Sequence, residues 1–180
     1  MKIDRKVRLR AVWLLIIPFF WFARPTPTLL AIGIALAAAG LALRASAAGF
    51  IHKDRVLTTT GPYARTRNPL YLGSFLLGTG ITLAGGRWTF VAAFLIFFAV
   101  VYHRTIRHEA EQLEQVFGDA YRAYAAAVPL FLPRLTAWRG PDAESPAGFS
   151  PERWRRNREY EALLGALAGF AGLWLRMVLG

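Results

Sequence analysis

The chain has 180 residues, of which 55% are hydrophobic and only 18% charged, and its mean hydropathy is +0.33. Apolar content this high excludes a disordered chain, and the absence of Cys excludes a disulfide-stapled domain, thiolate-held zinc and a Cys nucleophile. Twenty-two Lys and Arg against eleven Asp and Glu leave a net charge of +11, a balance that suits nucleic acid or a membrane surface as partner.

The distribution of charge along the chain selects the membrane. Lys2, Arg5, Lys6, Arg8 and Arg10 crowd the first ten positions, and residues 11–23 are then uncharged. Arg24-Pro25-Thr26-Pro27 interrupts, and residues 28–43 are again uncharged. A polar loop over 44–69 carries Lys53, Arg55, Arg65 and Arg67, and two apolar runs, 70–86 and 88–102, flank Arg87. Residues 103–161 are mixed in charge, and 162–175 form a last apolar run before Arg176. Each run is shorter than the roughly 20 residues of a full span, and flanking Arg and Lys lengthen it by snorkelling. With turns at Thr26-Pro27 and Gly85-Gly86, the pattern predicts an all-α polytopic transmembrane bundle of about 4–5 spans. Two helical hairpins are expected, about 7–24 with 28–47 and about 69–85 with 88–117. The last run is either a fifth span or a helix lying in the membrane interface.

The first run has the basic start and apolar core of a signal peptide, but Arg24-Pro25 stands where cleavage would fall, so an uncleaved anchor is expected. Trp13, Trp21 and Trp88 sit near run ends, as interfacial aromatics do. Basic residues concentrate in the N-terminal tail, the 44–69 loop and the 103–160 region. The positive-inside rule therefore puts these three on the cytoplasmic side, with the N-terminus cytoplasmic and the bacterial inner membrane as location. That topology accounts for the charge without a nucleic-acid partner, and the sequence points to no protein partner.

Familiar catalytic signatures are absent. Gly78-Thr79-Gly80 begins like a dinucleotide-binding fingerprint, but Leu83 stands where its third Gly belongs. Gly73, Gly78 and Gly80 read instead as small residues for close helix packing. His52, His103 and His108 lack metal-ligand spacing, so no metal is expected. Two segments remain. One is the loop 55–73, where Gly61-Pro62 makes a turn and Asn68-Pro69 has the pattern of an N-cap followed by Pro at the first helical position. The other is the helix 103–117, where Tyr102, Ile106, Glu109, Leu113 and Val116 share one face. Glu109 interrupts that otherwise apolar stripe, so it needs a cation or strong hydrogen-bond donors, with Arg65, Arg67 or a bound cationic ligand as the candidates. Glu111 and Glu114 fall off the stripe and are expected in solvent.

These segments together resemble the isoprenylcysteine carboxyl methyltransferase and phospholipid methyltransferase superfamily of integral membrane enzymes. The resemblance rests on Val56-Leu57-Thr58, Gly61-Pro62-Tyr63, Arg67-Asn68-Pro69-Leu70-Tyr71-Leu72-Gly73, Glu109-Ala110-Glu111-Gln112-Leu113, Phe117-Gly118-Asp119-Ala120-Tyr121-Arg122-Ala123-Tyr124 and Pro133, in that order. It covers about residues 50–135 and implies S-adenosylmethionine as cofactor in a cytosolic pocket, with a lipophilic acceptor arriving from the bilayer. Carried over position by position, the cofactor contacts fall on Arg55, Val56, Leu57, Thr58, Tyr63, Asn68, Pro69, Leu70, Tyr71 and Glu109. The chain departs from the family pattern at Asn68, where the family has His, and at Ala110, where it has a second Glu. Thr105 stands where prenylcysteine-specific members have an Arg for the substrate carboxylate, a role Arg104 or Arg107 is expected to take. No catalytic residue is singled out. For an acceptor that must lose a proton, His103 and His108 are the candidate bases. The implied organisation is an N-terminal hairpin at 1–48, a methyltransferase core at 49–135, and a linker with a hydrophobic helix at 136–180. A sterol-reductase-like NADPH enzyme and a non-enzymatic membrane scaffold are the alternatives.

Overall fold

The computed structural model describes residues 16–51, 56–140 and 148–180. Among them the structure is all helical. Helix α1 is described over 16–22, followed by α2 (Pro27–Phe50), a 3-10 turn (Gly61–Ala64), α3 (Pro69–Ala84), α4 (Trp88–Ala127), short α5 (Pro151–Arg156) and α6 (Glu159–Leu179). Helices α2, α4 and α6 are long and apolar enough to cross a membrane, and α3 is an apolar helix of 16 residues. The molecule is a helical membrane bundle. The N-terminal basic tail and Trp13 lie outside the described residues.

The two expected hairpins have local causes. Thr26 caps α2 by accepting a 3.3 Å hydrogen bond from the Leu29 N–H, with Pro27 at the first helical position. The α1–α2 and α3–α4 turns meet at one end of the bundle. There the Arg24 N–H donates to Gly85 O at 2.9 Å, and Arg87 Nε donates to Phe22 O at 3.1 Å. Gly86, at φ 72°, faces the Arg24 carbonyl with no room for a Cβ. Trp21 and Trp88 are exposed at this end, where amphipathic rings suit a membrane boundary.

Helices α2 and α3 pack through small residues. A Cβ on Gly80 would lie 2.5 Å from Gly33 O, and one on Gly73 would lie 2.7 Å from Gly40 O. This backbone-to-backbone approach is available only where side chains are missing. Gly78 faces the other way, against the Phe94 ring of α4. The α3–α4 contact is aromatic. Phe75 meets Phe98 edge-on at 5.0 Å and Tyr71 meets Tyr102 edge-on at 5.1 Å, while within α4 Phe98 stacks on Tyr102 at 4.2 Å.

Helix α4 breaks where the sequence reading ends it. Gly118, at φ 52° and ψ −124°, separates the span-forming part from a continuation to Ala127. That continuation carries Tyr121, Tyr124 and, just beyond it, Val128 into a small core of their own. The last apolar run forms a full-length helix. Leu173 of α6 is buried with Ala23, Leu30 and Ala84, which sets α6 against the α1–α2–α3 group. Its start is fixed by Glu159, whose two carboxylate oxygens accept 2.9 Å bonds from Arg44 Nε and Nη2. Ahead of it, Arg153 Nε donates to Gly49 O at 2.7 Å and Asn157 Nδ2 to Ala48 O at 3.0 Å. The C-terminal segment thereby clasps the end of α2, beside the loop that shapes the site.

Candidate active site

The site forms where the loop after α2 meets the part of α4 beyond the aromatic contact. Gly61 adopts φ 60° with the Phe50 ring against it, a backbone state that favours Gly. Pro62 follows, and the turn drives Tyr63 inward to 7% exposure. The Tyr124 hydroxyl donates to Tyr63 O at 2.7 Å and locks that turn to the continuation of α4.

The segment after α4 then straps the loop. The Arg67 N–H donates to Pro129 O at 3.0 Å, Arg134 N–H to Arg65 O at 2.9 Å, and Trp138 N–H to Ala64 O at 2.8 Å. Thr66, 1% exposed, donates its hydroxyl to Phe131 O at 2.8 Å. Asn68 occupies the N-cap position of α3 with Pro69 next, as the sequence suggests, but its side chain does not cap. Nδ2 instead donates to Leu130 O at 2.9 Å, which ties the carboxamide to the strap.

Glu109 finds its partner on α3. The Tyr71 hydroxyl donates to Glu109 Oε1 at 2.5 Å, a charge-assisted bond. Neither arginine takes that role: Arg65 Nη1 donates to Leu135 O at 3.1 Å, and Arg67 Nη1 donates to the Tyr121 hydroxyl oxygen at 3.1 Å. Glu111 and Glu114 are exposed, as expected, with Glu114 beside Arg122.

A cavity of about 590 Å³ lies between the loop and α4. Of the residues singled out from the sequence, Val56, Leu57, Thr58, Tyr63, Asn68 and Glu109 line it. Pro69, Leu70 and Tyr71 stand behind that wall on the first turn of α3, with Tyr71 joined to it through Glu109. Arg55 lies outside the described residues. Arg104 and Arg107 are exposed and do not line the cavity, because at 100° per residue they fall off the face that carries Ile106 and Glu109. His103 and His108 are also exposed, and His108 Nε2 is 3.1 Å from Gln112 Nε2. Among the described residues no group of His, Asp or Glu is arranged to hold a metal.

The wall also contains Arg67, which the sequence offered only as a partner for Glu109, and Phe117, Tyr121 and Tyr124, to which the sequence reading gave no individual role. Their signal was the pair of tyrosines three apart just after a helix-breaking Gly, which turns two rings to one side. Burial pushes the Tyr63 and Tyr124 hydroxyls well above the ordinary tyrosine range, and for Tyr63 the neighbouring Tyr124 and Glu109 add to it. Both therefore remain protonated donors at any physiological pH. The cavity thus offers apolar walls, one carboxylate, one guanidinium and fixed hydroxyl donors.

Comparison with known proteins gives the family. Residues 28–120 match the family described as Phospholipid methyltransferase. The chain is 33% identical over 122 residues to the Cobalt-zinc-cadmium resistance protein CzcN of Cupriavidus metallidurans, covering 67% of this chain and 55% of that one. It is 36% identical over 87 residues to the Nickel-cobalt-cadmium resistance protein NccN of Alcaligenes xylosoxydans xylosoxydans, covering 48% and 40%. It is 31% identical over 84 residues to the Protein-S-isoprenylcysteine O-methyltransferase of Schizosaccharomyces pombe, covering 47% and 36%. The chain spans about half or less of the length of these relatives. No solved structure matches it significantly. The matched stretch runs from α2 through the Glu109 part of α4, and the chain belongs to the phospholipid methyltransferase family.

Proposed function

We propose that the cavity binds S-adenosylmethionine and that the protein transfers its methyl group to a lipophilic acceptor at the cytosolic face of the membrane. The observation that carries this reading is the pairing of Glu109 with Tyr71 in the wall of a largely apolar cavity. Its volume of about 590 Å³ falls within the roughly 300–1,000 Å³ of small-molecule sites. The residues present suit the cofactor: a carboxylate for a cationic ligand, aromatic rings for a planar base, and a buried Tyr63 hydroxyl with no partner among the described residues.

Bound there, S-adenosylmethionine supplies an already activated methyl group. The protein's own contribution is then alignment and exclusion of water. Glu109 meets positive charge, and the Tyr71 hydroxyl fixes the direction of its carboxylate. Leu57 and Phe117 keep the wall apolar, and Tyr63 presents both ring and hydroxyl. The partly exposed rim of Val56, Leu113 and Val116 offers a lipophilic acceptor an apolar way in. The described wall carries no imidazole, so an acceptor that ionises unaided, such as a carboxylate, suits it best.

The test is calorimetric titration of the detergent-purified protein, followed by a lipid-extract methylation assay with labelled donor. S-adenosylmethionine and S-adenosylhomocysteine are expected to bind, and label is expected to enter the lipid fraction. Binding of NADPH in their place, or of no nucleotide, would overturn the reading.

A further inference from the structure

Arg67 is a guanidinium with no counter-charge among the described residues: no carboxylate there lies within ion-pair distance of it. Its Nε is buried and has no hydrogen-bond partner there. Its position is nonetheless well determined. The backbone N–H is held by Pro129 O at 3.0 Å, Nη1 donates to the Tyr121 hydroxyl at 3.1 Å, and Cζ lies 5.8 Å from the centre of the Tyr121 ring. Tyr121 is itself only 3% exposed. A second polar atom of the same wall, the buried Tyr63 hydroxyl, also lacks a partner among the described residues. Leaving a buried guanidinium N–H and a buried hydroxyl unpaired is costly, and both belong to one cavity lining.

We propose that Arg67, with the hydroxyls of Tyr63 and Tyr121, forms a carboxylate subsite in this cavity, and that it takes the carboxylate of the methyl donor's amino-acid moiety. The proposal rests on the reading of the cavity as a donor site. A planar fork of N–H donors matches the two oxygens of a carboxylate. Glu109 is the one acid in the described lining, so the wall carries one fixed negative and one fixed positive group. An α-amino acid, with its ammonium and carboxylate, complements that pair. A doubly charged phosphate does not, because Glu109 opposes it.

The experiment compares S-adenosylhomocysteine with 5′-methylthioadenosine, which keeps the nucleoside and thioether but lacks the amino-acid group. Binding of each is measured on the full chain in detergent for wild type, Arg67→Met and Arg67→Lys, with thermal unfolding of each apo protein alongside. Wild type is expected to prefer S-adenosylhomocysteine by about tenfold or more, the scale of one charge-assisted recognition. Arg67→Met is expected to close that gap with 5′-methylthioadenosine affinity unchanged, and Arg67→Lys to close it in part. Since Met removes an uncompensated charge, the apo protein is expected to be no less stable. A gap that persists in Arg67→Met overturns the subsite, as does an equal loss of both ligands, which would mark Arg67 as structural. If wild type binds neither compound, the donor reading itself fails and the subsite fails with it.

Discussion

Glu109 belongs to a stripe that serves two purposes. Ile106 below it is buried against the bundle, while Leu113 and Val116 above it are exposed at the cavity rim. A carboxylate at that change of surroundings faces a space rather than a packed core, and its described donor is the neutral Tyr71 hydroxyl. Glu109→Gln keeps an oxygen for that hydroxyl and removes only the charge. The apo protein is therefore expected to lose less than about 1 kcal/mol, a midpoint shift of roughly 2–4 °C. Donor affinity is expected to fall by about 1–3 kcal/mol, the scale of a charge-assisted contact. Thermal unfolding and calorimetry on one sample decide it, and a destabilised variant that binds the donor normally would reduce Glu109 to a structural role. Periodicity alone was enough to single out Glu109, because one acid on an apolar face is visible within a few turns. Its partner was not visible, since Tyr71 lies 38 positions away and only the α3–α4 packing brings the two together. Arg67 was offered as a partner for Glu109, and its actual surroundings were hidden for a related reason. A basic residue beside a membrane reads as a surface anchor until the strap from Pro129 to Trp138 is seen to enclose it.

At the level of helices, the glycines divide by what they face. Gly80 lies against the α2 backbone, where nothing can yield, whereas a Cβ on Gly165 of α6 meets nothing within 4 Å. Gly80→Val is therefore expected to cost about 1–3 kcal/mol or more through overpacking. Gly165→Ala is expected to be neutral or to stabilise by about 0.5–1 kcal/mol, because Ala is the better helix former. Thermal unfolding in detergent compares the two, and equal stability would contradict the seam. The helices themselves were largely legible, because apolar runs bounded by Pro, Gly and Arg leave few alternatives. The extension of α4 past Gly118 was not. A Gly in the left-handed region stops a helix locally, but it does not forbid a new turn when Tyr121, Tyr124 and Val128 find a core to fill. The packing of the last run was likewise set by contacts remote in sequence. Leu173 packs among α1, α2 and α3 residues, and Arg44 holds Glu159.

Taken as one body, the bundle has two unlike ends. One gathers the turns bearing Arg24 and Arg87 with exposed Trp21 and Trp88; the other holds the cavity, the strap and the clasp of α5 on α2. Arg24 and Arg87 stand at the first end, whereas Arg65, Arg67, Arg134, Arg153, Arg155, Arg156 and Arg158 belong to the loop, strap and clasp of the other, and cytoplasmic segments are the ones enriched in Lys and Arg. The cavity is therefore expected to open to the cytoplasm, where a polar nucleotide donor is available and from which an apolar acceptor in the inner leaflet is within reach. The chain has no native Cys, so single replacements report sidedness directly. Gln115→Cys, in the cavity wall, is expected to resist a membrane-impermeant maleimide in intact cells and to react once the membrane is opened. Trp88→Cys, at a position 79% exposed at the far end, is expected to react in intact cells. The reverse pattern would turn the bundle over and place the donor cavity outside the cell, where a cytoplasmic nucleotide cannot supply it, and the proposed reaction would fall with the topology.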